Sequence, residues 1–118
     1  MKPKYSLLKN SSYAISGLMI AIKNESSFRL ELIFGLFIVT AIVLLDLSVT
    51  HKLILFVTAL LVLVVELLNS AVESVVDLVT KEIHPLAKNA KDLGSAAVMV
   101  AILLHIICWV VVLATTIA

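Results

Sequence analysis

Among its 118 residues the sequence holds one cysteine, three glycines and two prolines, and Asp, Glu, Lys and Arg together make up only 14% of it. A single cysteine, Cys108, excludes an intrachain disulfide and any cysteine zinc cluster. With glycine only at Gly17, Gly35 and Gly94, neither a Walker loop nor a Rossmann fingerprint can be written. A formal net charge of +1 gives no argument for nucleic acid as a partner. Soluble domains average about 45–50% apolar and about 25% charged residues. A chain that is 62% hydrophobic is therefore expected to be an integral membrane protein. Lys2, Lys4 and Lys9 are followed by no apolar core, and Ser16 and Lys23 interrupt the next segment, so no cleavable signal peptide is expected. No repeat or linker divides the chain, which reads as one domain over residues 1–118.

From about Ser6 to Lys23, Leu8, Ile15, Leu18, Met19 and Ile22 recur at helical spacing, with Lys9, Asn10, Ser12, Ser16 and Lys23 opposite. That pattern predicts an amphipathic helix lying along a membrane surface. Three apolar runs follow, over about 28–47, 53–79 and 94–115, each long enough to cross about 30 Å of hydrocarbon as a helix. The predicted class is an all-α membrane protein with three spans and one interfacial helix. Residues 46–52 read as a turn, which leaves His51 solvated. Pro85 is expected to end any helix approaching it, within a polar join over 80–93. Gly94, Ser95, Ala96 and Ala97 then open the third span with side chains small enough for close helix packing.

The second run carries the unusual feature. Glu66, Asn69, Glu73 and Asp77 succeed one another at spacings of three, four and four, which puts them on one stripe of a helix. An ionised carboxylate at bilayer depth costs at least about 2.5 kcal/mol, so acids there are normally paired, metal-bound or turned to a protein interior. The stripe runs from inside the bilayer at Glu66 to the water interface at Asp77. Glu31 sits just inside the first span. Arg29, two residues before it, lies on another face, so a polar partner for Glu31 is expected from a different helix.

Basic residues set the orientation. Lys2, Lys4, Lys9, Lys23 and Arg29 precede the first span and Lys81, Lys88 and Lys91 lie between the second and third, whereas the first turn holds only Lys52. The positive-inside bias makes the amino terminus and second loop cytoplasmic. Glu25, Glu73, Asp77, Lys91 and Asp92 then gather where nucleotide and magnesium are available. Magnesium takes one or two carboxylates and binds substrate phosphates, a role open to Glu25 and Glu73. Lys91 and backbone amides at the start of the third span suit phosphate oxygens. Glu66, the deepest acid, suits a base taking a proton from a membrane-borne hydroxyl. On spacing alone this describes phosphoryl transfer to a lipid alcohol, with ion or proton translocation and a satisfied interhelical hydrogen-bond network equally open.

Glu66-Leu-Leu-Asn-Ser-Ala-Val-Glu-Ser-Val-Val-Asp77, then Glu82-Ile-His-Pro, then Ala90-Lys-Asp-Leu-Gly-Ser-Ala-Ala-Val98, resembles the small bacterial integral-membrane diacylglycerol kinases. Asn24-Glu25-Ser-Ser-Phe-Arg29 matches that family's motif before its first span, and the resemblance runs from Tyr13 onward. It implies a homotrimer in the bacterial inner membrane with sites shared between subunits, and MgATP-dependent phosphorylation of diacylglycerol to phosphatidic acid. By matching position, Glu66 would be the base, Glu25 and Glu73 the metal ligands, and Asn69 and Asp77 supports of the polar site. Tyr13, Glu82, Ile83, His84, Lys91 and Asp92 would contact nucleotide, while Ser95, with Glu66, would face the lipid.

Two positions depart from the family pattern: Ser6 stands where an arginine is common, and Ile15 where a tryptophan is. Both fall in the surface helix. The nearest rival is an undecaprenol kinase of the same superfamily, from which the Gly94-Ser95 pair separates this chain. A small proton-coupled exporter also uses a membrane glutamate but has four spans. His105 reads as an interhelical hydrogen-bonding residue, Cys108 as packing, Trp109 as an interfacial anchor, and Lys2 and Lys4 as topology charges.

Overall fold

A computed structural model describes residues 6–117; Lys2 and Lys4 lie outside the described residues. The fold is all-α, with α1 (Leu7–Asn24), α2 (Ser26–Leu44), α3 (Val49–Val79) and α4 (Pro85–Ile117). The helices α2, α3 and α4 are long and apolar enough to cross a membrane. Exposed apolar side chains cover them, among them Phe34, Phe37, Leu68 and Val110, as expected where lipid is the surrounding solvent. The shorter α1 leaves Leu8, Ile15 and Ile20 exposed, which fits a helix resting on a membrane surface.

Local capping explains each boundary. Ser6 is the N-cap of α1, its hydroxyl accepting from the Lys9 N–H at 3.4 Å, so the residue that departs from the family pattern does a helix-starting job here. Glu25 alone, in extended conformation, separates α1 from α2. Arg29 reaches back from α2 and donates to the carbonyls of Ile22 and Lys23 at 2.8 and 2.9 Å, satisfying the open end of α1. Phe28 and Ala21 are buried at this elbow. The guanidinium therefore fixes where Glu25 sits.

Two boundaries differ from the expected spans. Ser48 caps α3 by accepting from the His51 N–H at 3.1 Å, so α3 begins at Val49 rather than 53. His51 belongs to its first turn, not to a solvated turn. Lys52, one residue on, donates to the Val43 carbonyl at 3.1 Å and closes the end of α2. The larger correction is at α4, which starts at Pro85 and not at 94. Proline is favoured in a first helical turn because its missing N–H would have had no partner there. Pro85 is thus a start rather than a stop, and His84 Nδ1 accepts the next amide, Leu86 N–H, at 3.1 Å.

At the end of the bundle away from the elbow, Ile42, Leu55 and Val112 form a buried core packed by Ile38, Leu47, Cys108 and Trp109. Above it a polar chain joins α3 to α4. The Trp109 indole N–H donates to His105 Nε2 at 2.9 Å, which leaves Nδ1 to carry the ring proton and donate to Thr58 Oγ1 at 2.7 Å. The Thr58 hydroxyl in turn donates to the Ile54 carbonyl at 2.9 Å. Every member is satisfied, so the buried His105 is an interhelical tie. Trp109, expected as an interfacial anchor, is instead half-buried and spends its N–H on His105.

Candidate active site

Burial grades along the polar stripe of α3. Glu66 and Asn69 are 7% and 9% exposed, whereas Glu73 and Asp77, one and two turns further on, are half-buried. Over the same stretch, small residues let α4 approach α3 closely. Ala101 is buried, and a Cβ built on Gly94 would overlap Asn69 Oδ1 and lie 3.2 Å from its Cγ. Asn69 donates from Nδ2 to Glu73 Oε1 at 3.3 Å, while its Oδ1 is sealed from solvent with no donor among the described residues.

Acids from three places act electrostatically on one another here. Glu66 lies in the electrostatic field of Glu73 on its own helix and of Glu25 at the elbow between α1 and α2. Glu31 on α2 is also among the groups that act on it. Of the nearby cations, Arg29 is committed to the carbonyls ending α1, and Lys91 is held by Asp77 at 2.7 Å. Lys91 still feels the charge of Glu73, so it stands at the outer rim of the cluster.

The acids of this region and the amide oxygen of Asn69 are all hard oxygen groups. Among the described residues no three His, Cys, Asp or Glu converge as a metal cage. Magnesium does not need one, since it binds through one or two carboxylates and completes its shell with waters and substrate phosphates. Glu25 and Glu73 are oxygen donors of the kind that requirement calls for.

The remaining expected site residues are placed less tightly. Ser95 is exposed next to Gly94, and Tyr13 is partly exposed on α1. Glu82, Ile83 and His84 are exposed in the connector between α3 and α4, where the Glu82 N–H donates to Thr80 Oγ1 at 3.0 Å. Asp92 is exposed on α4 and pairs with Lys88 at 2.5 Å. One expectation is corrected: the amides beside Gly94 are not free to hold phosphate, because they lie inside α4, whose open N-terminal amides are near Pro85. Glu31 was missed as one of the acids acting on Glu66. A lone acid just inside an apolar run announced a partner without naming it, and only the pairing of α2 with α3 brings it within electrostatic reach of Glu66.

The close approach at Gly94 gives a testable outcome. Glycine to alanine in a helix ordinarily gains about 1 kcal/mol, while forcing a methyl into a filled contact costs about 1–3 kcal/mol. Asn69 must rotate away, so Gly94→Ala is expected to change thermal stability by at most about 2 kcal/mol but to reduce turnover sharply. Unfolding and turnover measured on one preparation check this, and full turnover would show that Asn69 need not stay where it is.

The profile of the prokaryotic diacylglycerol kinase family matches residues 12–113. The chain is 39% identical over 107 residues to the diacylglycerol kinase of Pseudomonas aeruginosa, an overlap covering 91% of this chain and 87% of that protein. Against the diacylglycerol kinase of Escherichia coli K12 the identity is 40% over 107 residues, with coverages of 91% and 88%. The Haemophilus influenzae diacylglycerol kinase is 38% identical over 103 residues, 87% of each chain. On a family match spanning most of the chain and relatives of this similarity, the chain belongs to the prokaryotic diacylglycerol kinase family.

Proposed function

We propose that this chain transfers the γ-phosphate of MgATP to the free hydroxyl of diacylglycerol, giving phosphatidic acid and ADP. The observation that carries the reading is the graded polar face of α3, with a buried carboxyl at Glu66 and a half-buried one at Glu73. Such a face brings a lipid hydroxyl from one side and a soluble phosphate from the other. Family membership supports the same chemistry.

In this reading Glu66 takes the hydroxyl proton while the hydroxyl oxygen bonds to the γ-phosphorus. The bond from phosphorus to the bridging oxygen breaks, and its electron pair leaves with ADP. Glu25 and Glu73 would hold Mg2+, which when bound neutralises phosphate charge. Asn69 and Asp77 keep the face in order, Asn69 by its bond to Glu73 and Asp77 by its bond to Lys91. Lys91 supplies a cation for the phosphates, and Ser95 with Glu66 faces the lipid. Tyr13, Glu82, Ile83, His84 and Asp92 contact nucleotide. A homotrimer with sites completed across subunits would bring these residues to the carboxylates. The amino terminus and site face the cytoplasm of the inner membrane, as the basic residues before α2 and between α3 and α4 favour.

Purified protein in mixed micelles, given γ-labelled ATP and diacylglycerol, tests this. Label should enter lipid only with Mg2+ present, vanish with a chelator and return on adding excess Mg2+. Transfer unaffected by chelation would remove Glu25 and Glu73 from the role given to them.

A further inference from the structure

Asn69 stands between two partners of different kinds, one on its own helix and one on α4. Its Nδ2 donates to Glu73 Oε1 at 3.3 Å. An ionised carboxylate can only accept, so the amide nitrogen has to face Glu73 and Oδ1 has to face away from it. Gly94 lies on that other side: a Cβ built there would overlap Oδ1 and lie 3.2 Å from Asn69 Cγ and 3.8 Å from Asn69 Cβ. At Gly17 and Gly35 the same construction meets open space. One α-hydrogen of Gly94 occupies nearly the direction of the missing Cβ, and so it points at Oδ1. That oxygen is sealed from solvent in a residue 9% exposed, with no N–H or O–H donor among the described residues. A Cα–H···O contact is the donor this geometry offers it.

We infer that Gly94 is a positioning residue for the metal ligand at Glu73. Its α-hydrogen fixes the Asn69 amide, and the amide holds Glu73 Oε1, which leaves Oε2 for the cation. The inference rests on Glu73 being a metal ligand. A methyl at position 94 would displace Oδ1, turn the amide off Glu73 and free the carboxylate to change rotamer. A carboxylate that is not held must give up that freedom when it binds a cation, so the loss should appear first as weaker metal affinity.

Gly94→Ala, Asn69→Ala and the double variant, each as the full chain in mixed micelles, test this. Transfer to diacylglycerol is measured against Mg2+ concentration. Mn2+ binding is measured without turnover, from the electron paramagnetic resonance of free Mn2+ beside a non-hydrolysable ATP analogue. Gly94→Ala should raise both the Mg2+ needed for half-maximal transfer and the Mn2+ dissociation constant about threefold or more, the scale of one side chain immobilised on binding. Part of its lost turnover should return as Mg2+ is raised. Asn69→Ala should show the same shifts. It also makes room for the methyl, so the double variant should match Asn69→Ala within about twofold, as for two residues acting through one contact. Unchanged Mn2+ affinity in Gly94→Ala, or a double variant whose shift is the product of the two single ones, would overturn the inference. If Gly94→Ala does not fold, the double variant, in which the methyl has room, decides by the same comparison. Glu73→Gln keeps the two readings apart. Wild-type Mn2+ affinity there would overturn the metal reading together with this one, whereas weakened affinity in Glu73→Gln beside wild-type affinity in Gly94→Ala overturns only the role of Gly94.

Discussion

Glu66→Gln is expected to reduce phosphoryl transfer by about 10²–10⁴-fold, the usual contribution of a positioned base, while MgATP still binds. The amide matches the carboxyl in shape, so the packing of α3 on α4 around this 7% exposed side chain is kept. It cannot accept the hydroxyl proton, and so only the chemical step is lost. The nucleotide side of the stripe, about two and three turns away at Glu73 and Asp77, is untouched. Nucleotide affinity and transfer rate measured on the same preparation separate these effects. A variant retaining most of the rate would show that the base is elsewhere.

Glu73→Gln should fail differently. If Glu73 is one of two carboxylates holding the metal, its loss should weaken Mg2+-dependent nucleotide binding about tenfold or more, equivalent to about 1.4 kcal/mol for each factor of ten. The rate should fall as well. Part of that loss should be recoverable by raising Mg2+, which a purely structural defect would not allow. Asn69 complicates the variant in a predictable way, because a glutamine amide can still accept its 3.3 Å hydrogen bond, so the local fold should hold. MgATP affinity identical to wild type would take Glu73 out of the metal site.

The two variants together ask whether depth along one helix divides the labour of the site. Burial falls from Glu66 to Asp77, and α4 approaches α3 closely where Gly94 meets Asn69. Both the desolvation that suits a base and the exposure that suits a nucleotide thus lie along one helix face.

Much of this was legible in the sequence because it depends on local periodicity. Apolar runs marked three helices able to span a membrane, apolar residues at helical spacing marked the amphipathic α1, and the spacing of Glu66, Asn69, Glu73 and Asp77 put them on one face before any packing was known. Small residues from Gly94 onward announced a close approach, and the structure supplies its partner, Asn69. Proline was misread because the same residue breaks a helix it interrupts and begins one it precedes, and the deciding contact, His84 Nδ1 with the Leu86 amide, is a detail of the cap. Ser48 was an available capping signal, obscured by the polar His51 and Lys52 after it. What remained hidden needed tertiary contact. His105 and Trp109 are one turn apart and their bond was within reach of spacing, but Thr58 on α3 was not, and neither was the action of Glu31 on Glu66.

The most direct test of the central claim offers purified protein diacylglycerol and undecaprenol in parallel, at equal surface fraction in mixed micelles with γ-labelled MgATP. The account predicts label chiefly in phosphatidic acid. Label chiefly in polyprenyl phosphate would contradict the assigned substrate while leaving the phosphoryl-transfer site intact, and no label in either lipid would contradict the kinase itself.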